Sequence, residues 1–140
     1  MSEALPGGCL CGAARFSAVP QKMEMDVCHC RMCQKWSGSV FMAVPCTDVA
    51  IEDEAQFGVY VSSDWAERLF CKSCGSSLLW RLRDGGHVAV SMQSFDDASR
   101  FAFTEEIFID EKPETYRFAD ATRKMTGAEV VAAFAAGQDS

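Results

Sequence analysis

At 140 residues the chain has the usual length of a single domain, and its 49% hydrophobic and 24% charged content excludes intrinsic disorder. A formal charge of −7, with Lys and Arg dispersed instead of gathered into a stripe or tail, excludes the electrostatic footprint of a nucleic-acid or anionic-membrane binder, so neither is expected as a partner. The first six residues hold no basic or apolar run of a secretory or transit signal, and the longest mainly apolar stretch, 130–136, is far too short for a bilayer. The cytoplasm is therefore the expected location.

Short apolar segments between scattered prolines and glycines, with no repeat or linker, predict a mostly β chain. Residues 14–18, 23–27 and 56–61 alternate apolar with polar side chains, as strands with one buried face do. Residues 40–44 form a continuous apolar run suited to a strand buried on both faces and ended by Pro45. Residues 78–83 and 88–92 flank Asp84-Gly85-Gly86-His87, whose glycines supply the positive φ of a tight connection, and together read as a hairpin. Two further short strands are expected at 106–109 and 115–118, divided by the turn-like Asp110-Glu111-Lys112-Pro113. The end of the chain changes character. Thr126-Gly127-Ala128-Glu129 matches a capping box ahead of the apolar 130–134, which predicts a short C-terminal helix with Val130 and Phe134 on its buried face. The expected organisation is one all-β domain over 1–125, followed by that helix and tail over 126–140.

The eight cysteines carry the strongest signal. They occur as Gly8-Cys9-Leu10-Cys11-Gly12, as Cys28-His29-Cys30-Arg31-Met32-Cys33 and as Cys71-Lys72-Ser73-Cys74-Gly75, with Cys46 alone. In an extended C-x-C both sulfurs point the same way and can share one metal, whereas a C-x-x-C suits a turn whose N–H groups donate to thiolates. In such a turn, the glycine after Cys74 can take the positive φ that closes the knuckle. A disulfide framework is the competing reading, but C-x-C makes a poor disulfide and nothing points to an oxidising compartment. Cys46 reads as a small buried hydrophobe.

Seven clustered thiolates cannot fill two four-thiolate sites. The C-x-C and C-x-x-C pairs complement one another as Cys9, Cys11, Cys71 and Cys74, which leaves Cys28, Cys30 and Cys33 one ligand short, the arrangement of catalytic zinc. Alternatively Cys46, His29, His87 or a carboxylate completes the second site and makes it structural too. Two zinc ions on seven thiolates would add about −3 to the formal charge. His29, between two ligands in an extended segment, is expected to face away from the metal as a supporting or core residue. Arg31 and Lys35 flank the third ligand and read either as solvated charge or as receivers of substrate carboxylates, Trp36 reads as a wall of the site or as a core residue, and Arg68 as a structural partner.

These clusters, together with Ser37-Gly38, Arg68-Leu69-Phe70 and Ser76 around them and weaker echoes in Ser94-Phe95-Asp96-Asp97 and Ile107-Phe108-Ile109-Asp110, resemble the glutathione-dependent formaldehyde-activating enzymes, also called the centromere protein V family. The chain departs from that pattern at Glu106, where members often carry histidine, and beyond Phe118. The resemblance implies a β-tent of small sheets, structural zinc at Cys9, Cys11, Cys71 and Cys74, and catalytic zinc at Cys28, Cys30 and Cys33. It also implies glutathione as the small-thiol partner and a carbon–sulfur lyase reaction that forms or cleaves S-hydroxymethylglutathione. Two other functions fit the same residues: a lyase for another thiol adduct, and a non-catalytic zinc-binding carrier or interaction module.

Overall fold

The computed structural model describes residues 3–136. Its elements in chain order are β1 (Leu5–Gly8), β2 (Arg15–Pro20), β3 (Glu24–Cys28), α1 (Arg31–Ser37), β4 (Phe41–Ile51), β5 (Phe57–Val61), β6 (Ala66–Cys71), β7 (Ser77–Leu82), β8 (Val88–Ser91), β9 (Ala102–Ile107), β10 (Arg123–Met125) and α2 (Gly127–Ala135). The chain is thus mostly β-sheet with two short helices, one of them C-terminal. No helix among the described residues is long and apolar enough to cross a membrane. Two compact units emerge, one from the chain up to Met23 with Ala43–Phe101, the other from Glu24–Met42 with the chain from Ala102 onward.

In the first unit every strand pairing is antiparallel, in the order β1, β2, β4, β8, β7, β6, β5. The alternation read at 14–18 appears in β2, where Phe16 and Ala18 are buried between half-exposed neighbours. Phe16 meets the edge of Phe95, with ring centroids 5.7 Å apart, and Leu69, Leu78, Leu79, Val44 and Val90 complete this core. Each such side chain contributes about 1.5–3 kcal/mol when fully buried. The hairpin of β7 and β8 forms as expected, with Gly85 at φ 83° and the Asp84 carboxylate accepting the Gly86 N–H at 2.7 Å.

Two expectations in this unit change. β4 does not end at Pro45 but runs through it to Ile51. Proline's φ suits an extended chain, and its missing N–H costs little beside the irregularity where β2 shifts register between Val19 and Pro20. β5 buries only its first two residues, leaving Val59, Tyr60 and Val61 exposed, because it lies at the end of the strand order with β6 as its partner.

In the second unit β3 and β10 both pair in parallel with β9. Met25 and Val27 of β3 are buried, as the alternation at 23–27 requires. The strand expected at 106–109 starts earlier and ends at Ile107, followed by a 3₁₀ turn at Ile109–Glu111. No strand forms over 115–118. There Tyr116 and Phe118 turn their rings onto His29, with centroids 5.7 and 6.2 Å away, and Phe118 meets Phe103 edge-on at 5.1 Å. Aromatic packing outweighs the local β preference at this position. The C-terminal helix forms with both bonds of its capping box, the Thr126 hydroxyl accepting the Glu129 N–H and the Glu129 carboxylate accepting the Thr126 N–H. Val130 is buried, but Phe134 is 52% exposed, so the expected pair does not share a buried face.

Candidate metal centres

The first cysteine group is built entirely by the first unit. Cys9 follows β1, and its turn closes through the Cys9 N–H to the Ala14 carbonyl at 3.0 Å, while the Ala14 N–H donates to Cys9 Sγ at 3.2 Å. Cys71 ends β6 and opens the second knuckle, where the Ser73 and Cys74 N–H groups donate to Cys71 Sγ at 3.3 and 3.4 Å. Gly75, at φ 81°, returns its N–H to the Cys71 carbonyl at 2.9 Å. The Ser76 hydroxyl ties the two knuckles together by accepting the Leu10 N–H at 3.1 Å.

Cys9, Cys11, Cys71 and Cys74 thereby bring their sulfurs within 4.8 Å of one another. Cys9 and Cys11 lie 3.6 Å apart, Cys11 and Cys71 3.8 Å. A tetrahedral zinc with Zn–S of about 2.3 Å sets its sulfurs about 3.8 Å apart, whereas a disulfide requires about 2.05 Å. Among the described residues, which include all eight cysteines, no disulfide forms. Hydrogen bonds from the Ser76 side chain and backbone lower the Cys74 thiol to about 5. Cys11 is pushed up to about 11: the Ala13 N–H favours its thiolate, but the neighbouring Cys9 sulfur opposes it. Four such sulfurs ionise together only around a cation, and an all-sulfur donor set suits zinc.

The second group belongs to the second unit. Cys28 is the last residue of β3, Cys30 the N-cap of α1, and Cys33 the third helical residue, whose N–H donates to Cys30 Sγ at 3.3 Å. The helix itself was not anticipated, because a cysteine cap carries none of the Ser, Thr, Asp or Asn signal that marks a helix start. The three sulfurs lie within 4.8 Å of one another. No fourth cysteine, histidine or carboxylate joins them among the described residues. Hydrogen bonding with the Cys30 and Cys33 sulfurs and burial push the Cys28 thiol far above the ordinary range, so this set also fits a cation. Cys28 and Cys33 are buried and Cys30 is half-buried, which makes Cys30 the most accessible of the three.

Cys46 lies in neither group. It is buried, donates to the Val44 carbonyl at 3.3 Å and is pushed up to about 12 by burial, as a small core residue would be. His29 does not join the sulfur group and is fully buried, its Nε2 2.8 Å from Glu106 and its Nδ1 2.8 Å from the Tyr116 hydroxyl. Arg31 and Lys35 are exposed, Trp36 meets Phe41 edge-on at 5.2 Å, and Arg68 is buried on β6. The sequence reading missed the partnership of Glu106 and Tyr116 with His29. The one available signal was Glu106 itself, an acidic residue at a position otherwise read as part of a strand.

A small, mostly β chain with two sulfur-only groups able to hold metal defines the class of protein. The chain belongs to the family described as glutathione-dependent formaldehyde-activating enzyme, whose model matches residues 4–111. It is 35% identical over 127 residues, 89% of this chain and 93% of the relative, to a Schizosaccharomyces pombe protein described as an uncharacterized lyase. The crystal structure of a Rhodobacter sphaeroides protein has a similar fold, with a TM-score of 0.56, 19% identity, and coverage of 71% of this chain and 100% of that one.

Proposed function

We propose that this protein is a cytoplasmic, zinc-dependent carbon–sulfur lyase acting on a glutathione adduct, with S-hydroxymethylglutathione, formed from formaldehyde and glutathione, as its substrate or product. The observation that carries this reading is the contrast between a group of four sulfurs and a group of three. Cys9, Cys11, Cys71 and Cys74 would hold a structural zinc, and Cys28, Cys30 and Cys33 a catalytic one with a position left for a substrate thiol. The β-tent arrangement, and a functional domain spanning 1–125 with 126–140 as an appendage, belong to the same reading.

In the forward direction the thiol sulfur adds to the aldehyde carbon: a C–S bond forms, the C=O π bond breaks, and the proton leaving sulfur ends on oxygen. Cleavage is the reverse. Zinc held by three thiolates would supply ionisation of the incoming thiol more than polarisation of the carbonyl, since thiolate ligands already donate heavily to it. The chain's own contribution is to hold the three sulfurs together on the β3–α1 junction and to offer an approach on the side of half-buried Cys30. Arg31 and Lys35, exposed on α1, are cations adjacent in sequence to the ligands in an otherwise acidic protein.

Calorimetric titration of the zinc-loaded protein with reduced glutathione and with S-methylglutathione tests this. Reduced glutathione should bind and the S-methyl derivative much more weakly, because the latter offers no thiolate. Equal affinities reject ligation through sulfur, and failure to bind any small thiol supports the interaction-module alternative. Binding without acceleration of adduct formation or cleavage supports a carrier.

A further inference from the structure

His29, the residue between two of the three sulfurs, is held at each of its polar atoms. Its N–H donates to the Ile107 carbonyl at 3.0 Å, and its carbonyl accepts from Gln34 Nε2 at 2.5 Å. Its ring spans Glu106 Oε1 and the Tyr116 hydroxyl, each at 2.8 Å. The second oxygen of Glu106 accepts the Thr122 hydroxyl at 2.5 Å, with Lys124 Nζ 3.7 Å away. His29 is 0% and Glu106 1% exposed. Burying an imidazole and a carboxylate is costly unless each polar atom is paired, and here each ring nitrogen and carboxylate oxygen has a partner. A fully satisfied buried network of this kind specifies one conformation.

The peptide units on either side of His29 carry Cys28 and Cys30. With the ring and both backbone groups of residue 29 hydrogen-bonded, the backbone from which Cys28 and Cys30 project is held on both sides. Gln34 adds a brace by also donating to the Glu111 carbonyl at 3.0 Å, which fixes α1, and with it Cys33, to the turn after β9. The first group is built differently: Cys11 and Cys71 are 60 positions apart, and the N–H donors to Cys9 and Cys71 Sγ come from their own knuckles, which Ser76 ties together.

We propose that the Tyr116–His29–Glu106–Thr122 chain presets the triangle of Cys28, Cys30 and Cys33 before metal arrives, which makes His29, Glu106 and Tyr116 positioning residues for this centre. The inference rests on the proposed function only for the use made of the centre. Tyr116 and Thr122 lie beyond residue 111, where the family match ends, so this brace is partly supplied by the chain's own C-terminal segment.

The test is a cobalt(II) titration of the full-length, metal-free protein with no thiol added, followed by thiolate-to-cobalt charge-transfer and d–d absorption. Thermal melts accompany it, and Cys33→Ser identifies the signal of the three-sulfur centre. Glu106→Leu should weaken that centre by about 10–100-fold, the usual cost of losing a group that orients metal ligands, and shift its d–d bands. Glu106→Gln, which keeps an acceptor for His29, should lose less, Tyr116→Phe should lose a few-fold, and the four-sulfur centre should be unchanged in all three. Unchanged affinity and spectrum of the three-sulfur centre in Glu106→Leu and Tyr116→Phe, with only a lower melting temperature, would overturn the proposal. If Glu106→Leu does not fold, Tyr116→Phe decides on the same criterion, since its residue is only half-buried and the ring is retained. Because no thiol is present, a wild-type protein that ignores glutathione rejects the proposed function while leaving this result standing. One that binds glutathione while the variants keep full cobalt affinity rejects the positioning role alone.

Discussion

Gly75 shapes the four-sulfur group through its backbone alone. Its φ of 81° lies in the left-handed region, and a side chain there would meet no atom within 4 Å, so the whole cost of replacing it falls on the backbone. Gly75→Ala should cost about 1–2 kcal/mol. It should also loosen the turn that aims the Ser73 and Cys74 N–H groups at Cys71 Sγ. We expect a lower melting temperature and zinc released from the four-sulfur centre at lower chelator concentration, with the release from the three-sulfur centre unchanged. Chelator competition checks this, and unchanged release would show that the knuckle tolerates a non-glycine residue. At this scale the sequence was informative: the glycine after C-x-x-C, the lone Cys46 and a His29 that serves as a core residue instead of joining the sulfurs are all legible locally. The partners of His29 do not, since Glu106 and Tyr116 are 77 and 87 positions away.

Among elements, the two centres tie down very different lengths of chain. Cys74→Ser removes a ligand from a centre that joins the turn after β1 to the end of β6. Apparent zinc-site free energies of about 10–16 kcal/mol rival a typical domain stability of about 5–15 kcal/mol, so partial loss there should unfold the protein or bring it near unfolding. Cys33→Ser weakens a centre whose ligands lie within one β3–α1 junction, a short loop that constrains the chain little and is braced by His29 and Gln34. That variant should stay folded and lose thiol binding. Circular dichroism melts with zinc content decide between the two, and a stable Cys74→Ser beside an unfolded Cys33→Ser would reverse the assignment of structural and catalytic roles. The elements themselves were partly legible. Alternation located β2 and β3, and the capping box located α2. A proline read as a stop was absorbed into β4, a helix capped by cysteine went unseen, and residues 115–118 gave up strand pairing for ring contacts with His29.

For the molecule as a whole, metal should leave in two stages. A four-thiolate centre holds zinc more firmly than a three-thiolate centre with an exchangeable ligand, so mild chelation should remove about one equivalent first and leave the fold in place. Metal analysis and circular dichroism during stepwise chelation follow both events, and loss of both ions together with the fold would contradict two distinct centres. The burial pattern does not by itself give this order, since the three-sulfur group holds two buried cysteines while the four-sulfur group includes exposed Cys11. Ligand number, not depth, is what the expectation rests on.

The sequence alone determined that the clustered sulfurs divide into a group of four and a group of three, because C-x-C and C-x-x-C each keep two sulfurs within a few residues of chain. The strand alternation expected to align Cys9 and Cys11 is replaced by the turn after β1. It also determined that the chain is mostly β with a capped helix at its end. Only the tertiary structure decided how deeply each sulfur is buried, that β4 continues through Pro45, and that Glu106, itself held by Thr122, and Tyr116 converge on His29 between Cys28 and Cys30. These depend on where distant segments return to pack, and the energies involved, buried polar satisfaction and aromatic contact, are properties of neighbours that no local stretch of sequence contains.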